Sequence, residues 1–169
     1  ALEELGALPG SGPFGPAGTV LGFTVARGET DVGRIWEMRK KAVGLLGNMQ
    51  GDKRPIPFVE DTAVDPSVLG DYVEQFRTIL DRHGLEAGWY GHCSVGCLHI
   101  RPFVDLSIPA EVETMRTVAE EIVELVGEFD GVNSSEHGDG RVRSEFNRRV
   151  FGDDLYEVLS SRQRTPLLV

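Results

Sequence analysis

The chain is poor in cysteine, in long apolar runs and in positive charge, and each shortage excludes a class of protein. Its two cysteines are fewer than the four thiolates that usually hold an iron–sulfur cluster. No apolar stretch approaches the ~20 residues that a membrane-spanning helix needs. Lys and Arg number 17 against 27 Asp and Glu, and the net charge of −10 argues against nucleic acid as a partner. We therefore predict no membrane span and no nucleic-acid partner.

Several familiar sequence signals are missing as well. The N-terminus lacks the basic-then-apolar pattern of a secretion signal, which together with two reduced cysteines predicts a cytoplasmic protein. The glycine-containing loop over residues 131–140 has neither a GxGxxG run nor a P-loop lysine, so it does not resemble a phosphate-binding loop. No serine occupies a nucleophile elbow, which argues against a serine hydrolase of that kind.

Composition along the chain predicts three parts. Residues 1–18 form a lead-in or linker rich in Gly and Pro, residues 19–160 form one folded domain, and residues 161–169 form a tail. Strands are predicted over 19–26 and 58–64 and in a hairpin near residue 95, and helices over 32–47, 65–83, 109–129, 141–150 and 153–160. This order predicts an α+β fold, in which an antiparallel sheet has helices packed on one face. A ferredoxin-like arrangement is its simplest version.

The β-prone stretch 89–101 predicts a hairpin with a two-residue turn at Val95-Gly96. That turn pairs His92 with His99. Because side chains alternate along a strand and paired residues share a face, the hairpin has one polar and one apolar face. The polar face carries Tyr90, His92, His99 and Arg101, and the apolar face carries Trp89, Cys93, Leu98 and Ile100. The two cysteines then point to opposite faces, which argues against a disulfide between them.

Two imidazoles on one face suit a divalent metal ion. Catalytic zinc usually takes three nitrogen or oxygen ligands and keeps one open position. His92 and His99, with Glu136 from the loop after the longest helix, would complete such a set. His137 diverges from its neighbour in an extended loop, so it is better placed as a general base. The simpler alternatives are two solvated histidines on the hairpin and two polar residues in a flexible loop.

Three further side chains are candidates for substrate binding. Arg39 and Arg101 can each hold a carboxylate in a bidentate manner, and Tyr90 lies beside the histidines on the predicted polar face. The alternative for Arg39 is an exposed charge on the surface of a helix. In the strand predicted over 58–64, the adjacent Glu60 and Asp61 face opposite ways, so they are not expected to act as an acid/base pair.

Four stretches together resemble the C-terminal substrate domain of FAD-linked oxidases and dehydrogenases. GHCSVGCLHIRP at 91–102 is similar to that family's GHxGDGNLH motif, and SSEHGDGR at 134–141 to its Glu-His-Gly signature. IWEMRKKAVGLL at 35–46 resembles its Trp-x-x-Arg helix, and FVEDTAV at 58–64 the strand before the next helix. The Val-Gly-Cys-Leu-His-x-Arg-Pro variant is similar to large bacterial proteins in which the flavin part is fused to an iron–sulfur part.

The resemblance implies a D-2-hydroxyacid dehydrogenase of the glycolate oxidase, D-lactate and D-2-hydroxyglutarate dehydrogenase group. In that group a divalent metal, often zinc, is held by residues that match His92, His99 and Glu136. The residue matching His137 acts as base on the substrate hydroxyl, and the one matching Arg39 binds the substrate carboxylate. FAD, bound mainly by a separate N-terminal domain, takes the hydride.

The resemblance also implies partners and a location. The partners are a small 2-hydroxy acid, an upstream FAD-binding domain and a downstream iron–sulfur domain, and the protein is cytoplasmic or peripheral to a membrane through its electron acceptor. The chain is then expected to be a fragment of a larger enzyme and to be inactive without its flavin domain. Two departures bear on the substrate, since Val95-Gly96-Cys97 replaces an acidic-Gly-Asn run and Arg101 stands where relatives often carry Asn.

Two other functions stay open at this point. A metal-dependent hydrolase would use the ion to activate water, with His137 or Glu136 as base. A non-catalytic ferredoxin-like binding module would use none of this chemistry. Metal content separates the binding module from the two enzymes. Reduction of flavin would indicate the dehydrogenase, and hydrolysis of esters or amides would indicate the hydrolase.

Overall fold

The computed structural model describes residues 26–47 and 51–163. The predicted lead-in, most of the predicted strand over 19–26 and the end of the predicted tail lie outside the described residues. The chain divides into two compact units, Ala1–Leu45 and Leu46–Val169. Within the described ranges, no helix is long and apolar enough to cross a membrane.

Helix α1, Gly28–Gly47, makes up the described part of the first unit and ends just beyond it. It begins before the predicted residue 32, and the acidic Glu29 and Asp31 in its first turn stabilise the positive end of the helix dipole. Trp36 and Arg39 share one side of the helix, as their spacing predicts. The Arg39 guanidinium carbon lies 5.4 Å from the centroid of the Trp36 ring, a cation–π contact.

In the second unit, four strands form a small antiparallel sheet around one central strand. They are β1 (Arg54–Pro55), β2 (Thr62–Ala63), β3 (Ala87–His92) and β4 (Cys97–Val104). Strand β3 pairs along one edge of β4, and the two short strands pair along its other edge. An isolated antiparallel bridge joins Ala63 of β2 to Val132. With a helix before β3 and another after β4, this is a reduced form of the predicted ferredoxin-like connectivity, and the fold is α+β.

The strand predicted over 58–64 is wrong except at Thr62–Ala63. Asp61 has a positive φ of 72°, a left-handed conformation that is rare for residues other than glycine. Its backbone N–H donates to the Leu98 carbonyl and its carbonyl accepts the Ser135 N–H, and these bonds hold it in that conformation. Strand alternation therefore fails here, because the neighbouring Glu60 and Asp61 side chains are both buried and both contact side chains on one face of β4, Arg101 and Cys97.

Two helices cover the apolar face of the sheet, α2 (Leu69–Arg82) and α3 (Pro109–Glu128). A 3-10 turn over Pro66–Val68 leads into α2, and Asp65, the predicted cap, accepts the Ser67 N–H at 2.8 Å. Leu98 and Ile100 of β4 are buried in the resulting core, as predicted. The helices contribute Tyr72, Phe76, Ile79, Leu80, Val118, Ile122 and Val126 to the same core. Trp89 packs against it, with its ring 5.5 Å from that of Phe76.

Residues 140–163 are helical. Helix α4 (Gly140–Arg143), a 3-10 turn (Ser144–Phe146) and helix α5 (Asn147–Gln163) follow one another. Helix α5 bends at Gly152, where φ is +74°, and this bend lies at the break between the two predicted helices. Phe146 anchors the segment because its side chain joins the core.

Candidate active site

The hairpin forms, but its register differs from the predicted one by two residues. His92 pairs with Cys97 and Tyr90 pairs with His99, whereas the predicted turn would pair the two histidines directly. A shift of two residues keeps every side chain on its own face. Tyr90, His92, His99 and Arg101 therefore share one face of the hairpin, as predicted, and Cys97 lies on it as well. We call this surface the polar face.

The turn explains the shifted register. Cys93–Val95 form a 3-10 turn, and Gly96 follows with a φ of 71°. A Cβ at Gly96 would lie 1.7 Å from the carbonyl oxygen of Val64, so this position accepts only glycine. The loop therefore has four residues, with the glycine at its end and not at its centre. Cys93 is exposed and Cys97 is buried, and both are free thiols, which confirms that they do not form a disulfide.

Glu136 and the two hairpin histidines meet at one carboxylate oxygen. Oε1 of Glu136 lies 2.9 Å from His99 Nε2 and 3.4 Å from His92 Nε2. His99 is 2% exposed, and its ring stacks with that of Tyr90 at 4.8 Å between centroids. The side chains of His92 and Glu136 are instead 41% and 45% exposed. The cluster thus has a buried part, at His99, and an exposed part, at His92 and Glu136, that a small molecule can reach.

Two residues outside the predicted ligand set extend this cluster. Ligand atoms of four side chains lie within 4.8 Å of one another: Asp61, Cys97, His99 and Glu136. The Cys97 sulfur is 3.7 Å from His99 Nε2 and 3.8 Å from Asp61 Oδ1. Burial raises the pKa of the Cys97 thiol. The alternation of β4 does put Cys97 on the polar face, so this neighbour could have been found from the sequence.

The donor atoms fit a divalent ion of the zinc type. Zinc takes imidazole nitrogen, carboxylate oxygen and thiolate sulfur. On a tetrahedral ion with bonds of about 2.0–2.1 Å, a nitrogen and an oxygen ligand are about 3.4 Å apart. The His92 to Glu136 distance is 3.4 Å. His92 is not in the group whose ligand atoms all lie within 4.8 Å of one another, so its side chain would have to move for it to share an ion with His99 and Glu136.

His137 lies beside the cluster, between two carboxylates. Its ring stacks with that of His99 at 4.9 Å, and its Nε2 is 3.6 Å from Oε1 of Glu136. Its other ring nitrogen, Nδ1, is 3.3 Å from Oε1 of Glu60, which is 7% exposed. A buried carboxylate at one ring nitrogen orients the imidazole and leaves the other nitrogen for proton transfer. Sequence reasoning missed Glu60 because it assumed a regular strand.

Arg101 lies between Glu60 and Tyr90. Its Nε donates to Oε2 of Glu60 at 2.6 Å, and its guanidinium carbon is 5.5 Å from the centroid of the Tyr90 ring. The side chain is 25% exposed. The Arg101 guanidinium is therefore held beside the histidines, where an approaching carboxylate would share it with Glu60.

Asp61 organises the loop that carries Glu136 and His137. Its fully buried carboxylate accepts hydrogen bonds from four donors of this loop, the hydroxyls of Ser134 (2.6 Å) and Ser135 (2.9 Å) and the backbone N–H groups of Glu136 (3.1 Å) and His137 (2.8 Å). Burial by itself would raise the pKa of Asp61, but these donors lower it to about 2. A carboxylate that is charged at neutral pH therefore holds the two candidate site residues in place.

Arg143 holds the same loop through its carbonyl groups. This buried side chain donates to the backbone oxygens of Glu60, Asn133 and Gly138, the last at 2.6 Å. One of its terminal nitrogens is also 3.9 Å from Oδ2 of Asp61. No sequence pattern marked Arg143, because its partners include a residue 83 positions away.

Arg39 lies on α1, in the first unit, and its predicted role toward a substrate carboxylate stays a prediction. The other predicted site residues all lie on the polar face or on the loop that Asp61 holds against it.

Residues 13–164 match the family described as FAD linked oxidases, C-terminal domain. The chain is similar to the D-2-hydroxyglutarate dehydrogenases of Escherichia coli (strain K12), at 44% identity over 83% of the chain, and Pantoea ananatis (strain AJ13355), at 44% over 84%. It spans 14% of the length of each of these relatives. The glycolate oxidase subunit GlcD of Bacillus subtilis (strain 168) is 24% identical over 76% of the chain and 27% of its own length. The chain therefore belongs to the FAD linked oxidases, as a member of their C-terminal domain family.

Proposed function

We propose that this domain binds the substrate and a metal ion in a flavin-dependent dehydrogenase that oxidises a D-2-hydroxy acid to the 2-oxo acid. Lactate, glycolate and 2-hydroxyglutarate are the kinds of substrate considered. The family and the relatives named D-2-hydroxyglutarate dehydrogenase support a flavin-linked oxidation. Because the chain spans only 14% of those relatives, FAD would be bound mainly by a domain outside it. An iron–sulfur domain would be a further partner.

The observation that carries the proposal is the set of imidazoles around one carboxylate oxygen. The Nε2 atoms of His92, His99 and His137 lie within 3.6 Å of Oε1 of Glu136. Two of these imidazoles come from the hairpin and one from the loop after α3. A binding module without chemistry has no need of such a cluster, so the arrangement favours an enzyme.

In this proposal, different side chains bind the metal ion, accept the substrate proton and stabilise the charge that results. His92, His99 and Glu136 would hold the ion, which when bound would lower the pKa of the substrate hydroxyl group. His137 accepts the hydroxyl proton at Nε2, the nitrogen that faces the cluster. Glu60, at Nδ1 of the same ring, stabilises the resulting imidazolium. Flavin bound outside this chain would supply the acceptor for the hydride.

Two arginines would bind the substrate carboxylates. Arg39, which matches the arginine of the family's Trp-x-x-Arg helix, is proposed for the carboxylate beside the reacting carbon. Arg101 is proposed for a second carboxylate, because Glu60 and the Tyr90 ring hold its guanidinium next to the histidines. This arrangement favours a dicarboxylic hydroxy acid such as 2-hydroxyglutarate over lactate.

Metal analysis with matched histidine variants tests the proposal. We expect the purified chain to hold one equivalent of a divalent metal, His92→Ala to lose it, and His83→Ala to keep it. His83 is a suitable control because its Nε2 contacts Glu121, on the helical side of the domain. Equal metal content in both variants would refute the ligand assignment. A protein that joins this domain to a flavin-binding domain provides a second test. If it hydrolyses esters or amides, and if hydroxy acids do not reduce its flavin, a metal-dependent hydrolase is favoured instead.

A further inference from the structure

We propose that the thiolate of Cys97 is a further ligand of the divalent ion, so that the centre combines nitrogen, oxygen and sulfur and selects zinc over magnesium or manganese. This inference rests on the metal-binding function proposed above and adds a ligand to it. The predicted ligand set of two histidines and one carboxylate contains no sulfur atom.

The position of the sulfur is that of a ligand. Cys97 precedes His99 by two residues in β4, and the two side chains therefore share the polar face. Zinc–sulfur and zinc–nitrogen bonds of about 2.3 and 2.0–2.1 Å, meeting at a tetrahedral angle, separate the two ligand atoms by about 3.6 Å. The distance from Cys97 Sγ to His99 Nε2 is 3.7 Å. One ion can therefore reach both atoms with little rearrangement of β4.

Of the two groups that extend the cluster, Cys97 is the better ligand. The carboxylate of Asp61 already accepts hydrogen bonds from two hydroxyls and two backbone N–H groups, so its oxygens are engaged in holding the loop. The Cys97 sulfur accepts only a bond from the Ser135 hydroxyl, at 3.1 Å, among these loop donors. Such a bond stabilises a thiolate and is compatible with metal ligation.

A sulfur ligand has consequences for protonation and for metal choice. Metal binding would release the thiol proton to the solvent, because the thiolate is the form that coordinates. Thiolate favours zinc and other soft ions, whereas magnesium and manganese favour oxygen ligands. Relative to a site of imidazole and carboxylate alone, the Cys97 site would therefore bind zinc more tightly and gain little for manganese.

Zinc X-ray absorption spectroscopy of the 169-residue chain tests the proposal directly, because Cys93 and Cys97 are its only cysteines. We expect one sulfur neighbour at about 2.3 Å from zinc, beside nitrogen or oxygen neighbours at about 2.0–2.1 Å. Cys93→Ser, which changes the exposed thiol of the turn, should leave this spectrum unchanged. Cys97→Ser should remove the sulfur neighbour and weaken zinc binding by at least about 10-fold, with manganese binding little changed.

The outcomes separate this inference from the proposed function. Zinc bound with only nitrogen and oxygen neighbours would overturn the role of Cys97 and leave the metal-binding function intact. A sulfur neighbour that disappears in Cys93→Ser would overturn it too. A chain that binds no metal would overturn both proposals. If Cys97→Ser fails to fold, the spectra of the unmodified chain and of Cys93→Ser still decide the question.

Discussion

Arg101 is the residue on which the choice between substrates depends in our proposal. Its guanidinium is held by Glu60 and stands over Tyr90, next to the histidines. In the longer enzyme, Arg101→Ala should remove about 2–4 kcal/mol of transition-state binding for 2-hydroxyglutarate, because a charged pair is lost, and much less for lactate. Arg39→Ala should lower kcat/KM for both substrates. Steady-state kinetics on the two substrates measures the difference.

The kinetic pattern also has a matched control. Arg101→Lys keeps the positive charge but loses the planar fork, so it should recover only part of the activity on 2-hydroxyglutarate. Equal losses of kcat/KM on both substrates in Arg101→Ala would show that the arginine does not bind a second carboxylate.

Asp61 is the residue on which the order of the site loop depends. Asp61→Asn replaces an acceptor-only carboxylate by an amide that can satisfy fewer of its four donors. We expect the free energy of unfolding to fall by about 2–4 kcal/mol, because buried donors lose their charged partner. Ser134→Ala, which removes one donor, should cost about 1 kcal/mol. Denaturant unfolding measures both, and a loss below the Ser134→Ala value would contradict the anchoring role.

At the scale of elements, the hairpin turn sets which residues face each other across β3 and β4. Gly96 combines a φ of 71° with a backbone contact to Val64 that leaves no room for a side chain. Gly96→Ala should therefore lower the free energy of unfolding by more than about 2 kcal/mol. The strain should also displace the turn, and with it His92 and Cys97, so metal affinity should fall in the same variant.

Gly70 provides the control for this prediction. It lies in the first turn of α2, and a Cβ there meets nothing within 4 Å. Gly70→Ala should leave stability unchanged or raise it by up to about 1 kcal/mol, because alanine favours the helix. Denaturant unfolding of the two variants side by side gives the comparison, and similar values for both would mean that the turn tolerates a side chain.

At the scale of the whole molecule, we propose that the chain binds metal and substrate and has no flavin site of its own. The 169-residue chain should lose any FAD during purification and yield a colourless preparation. The longer protein, purified in parallel, should be yellow. Flavin absorbance in the two preparations checks this, and stoichiometric FAD on the chain alone would mean that the cofactor site has been misplaced.

The sequence by itself determined the features that depend on local periodicity. The spacing of apolar residues predicted α2 and α3. The Asp65-Pro66 pair predicted the turn that leads into α2, and the order of the elements predicted the α+β class. Strand alternation put the two hairpin histidines on one face. That conclusion survived the register error because a shift of two residues never changes the face.

Only the tertiary structure decided the register of the hairpin and the surroundings of the site. The loop begins two residues earlier than predicted, at Cys93, because Gly96 must pack against Val64, which lies in a different segment. Asp61 leaves the strand conformation because its partners are Leu98 and the loop at Ser135. Such contacts join residues tens of positions apart and leave no periodic trace in the sequence. They bring Glu60 and Asp61 to the histidines and hold the Glu136 loop against the sheet.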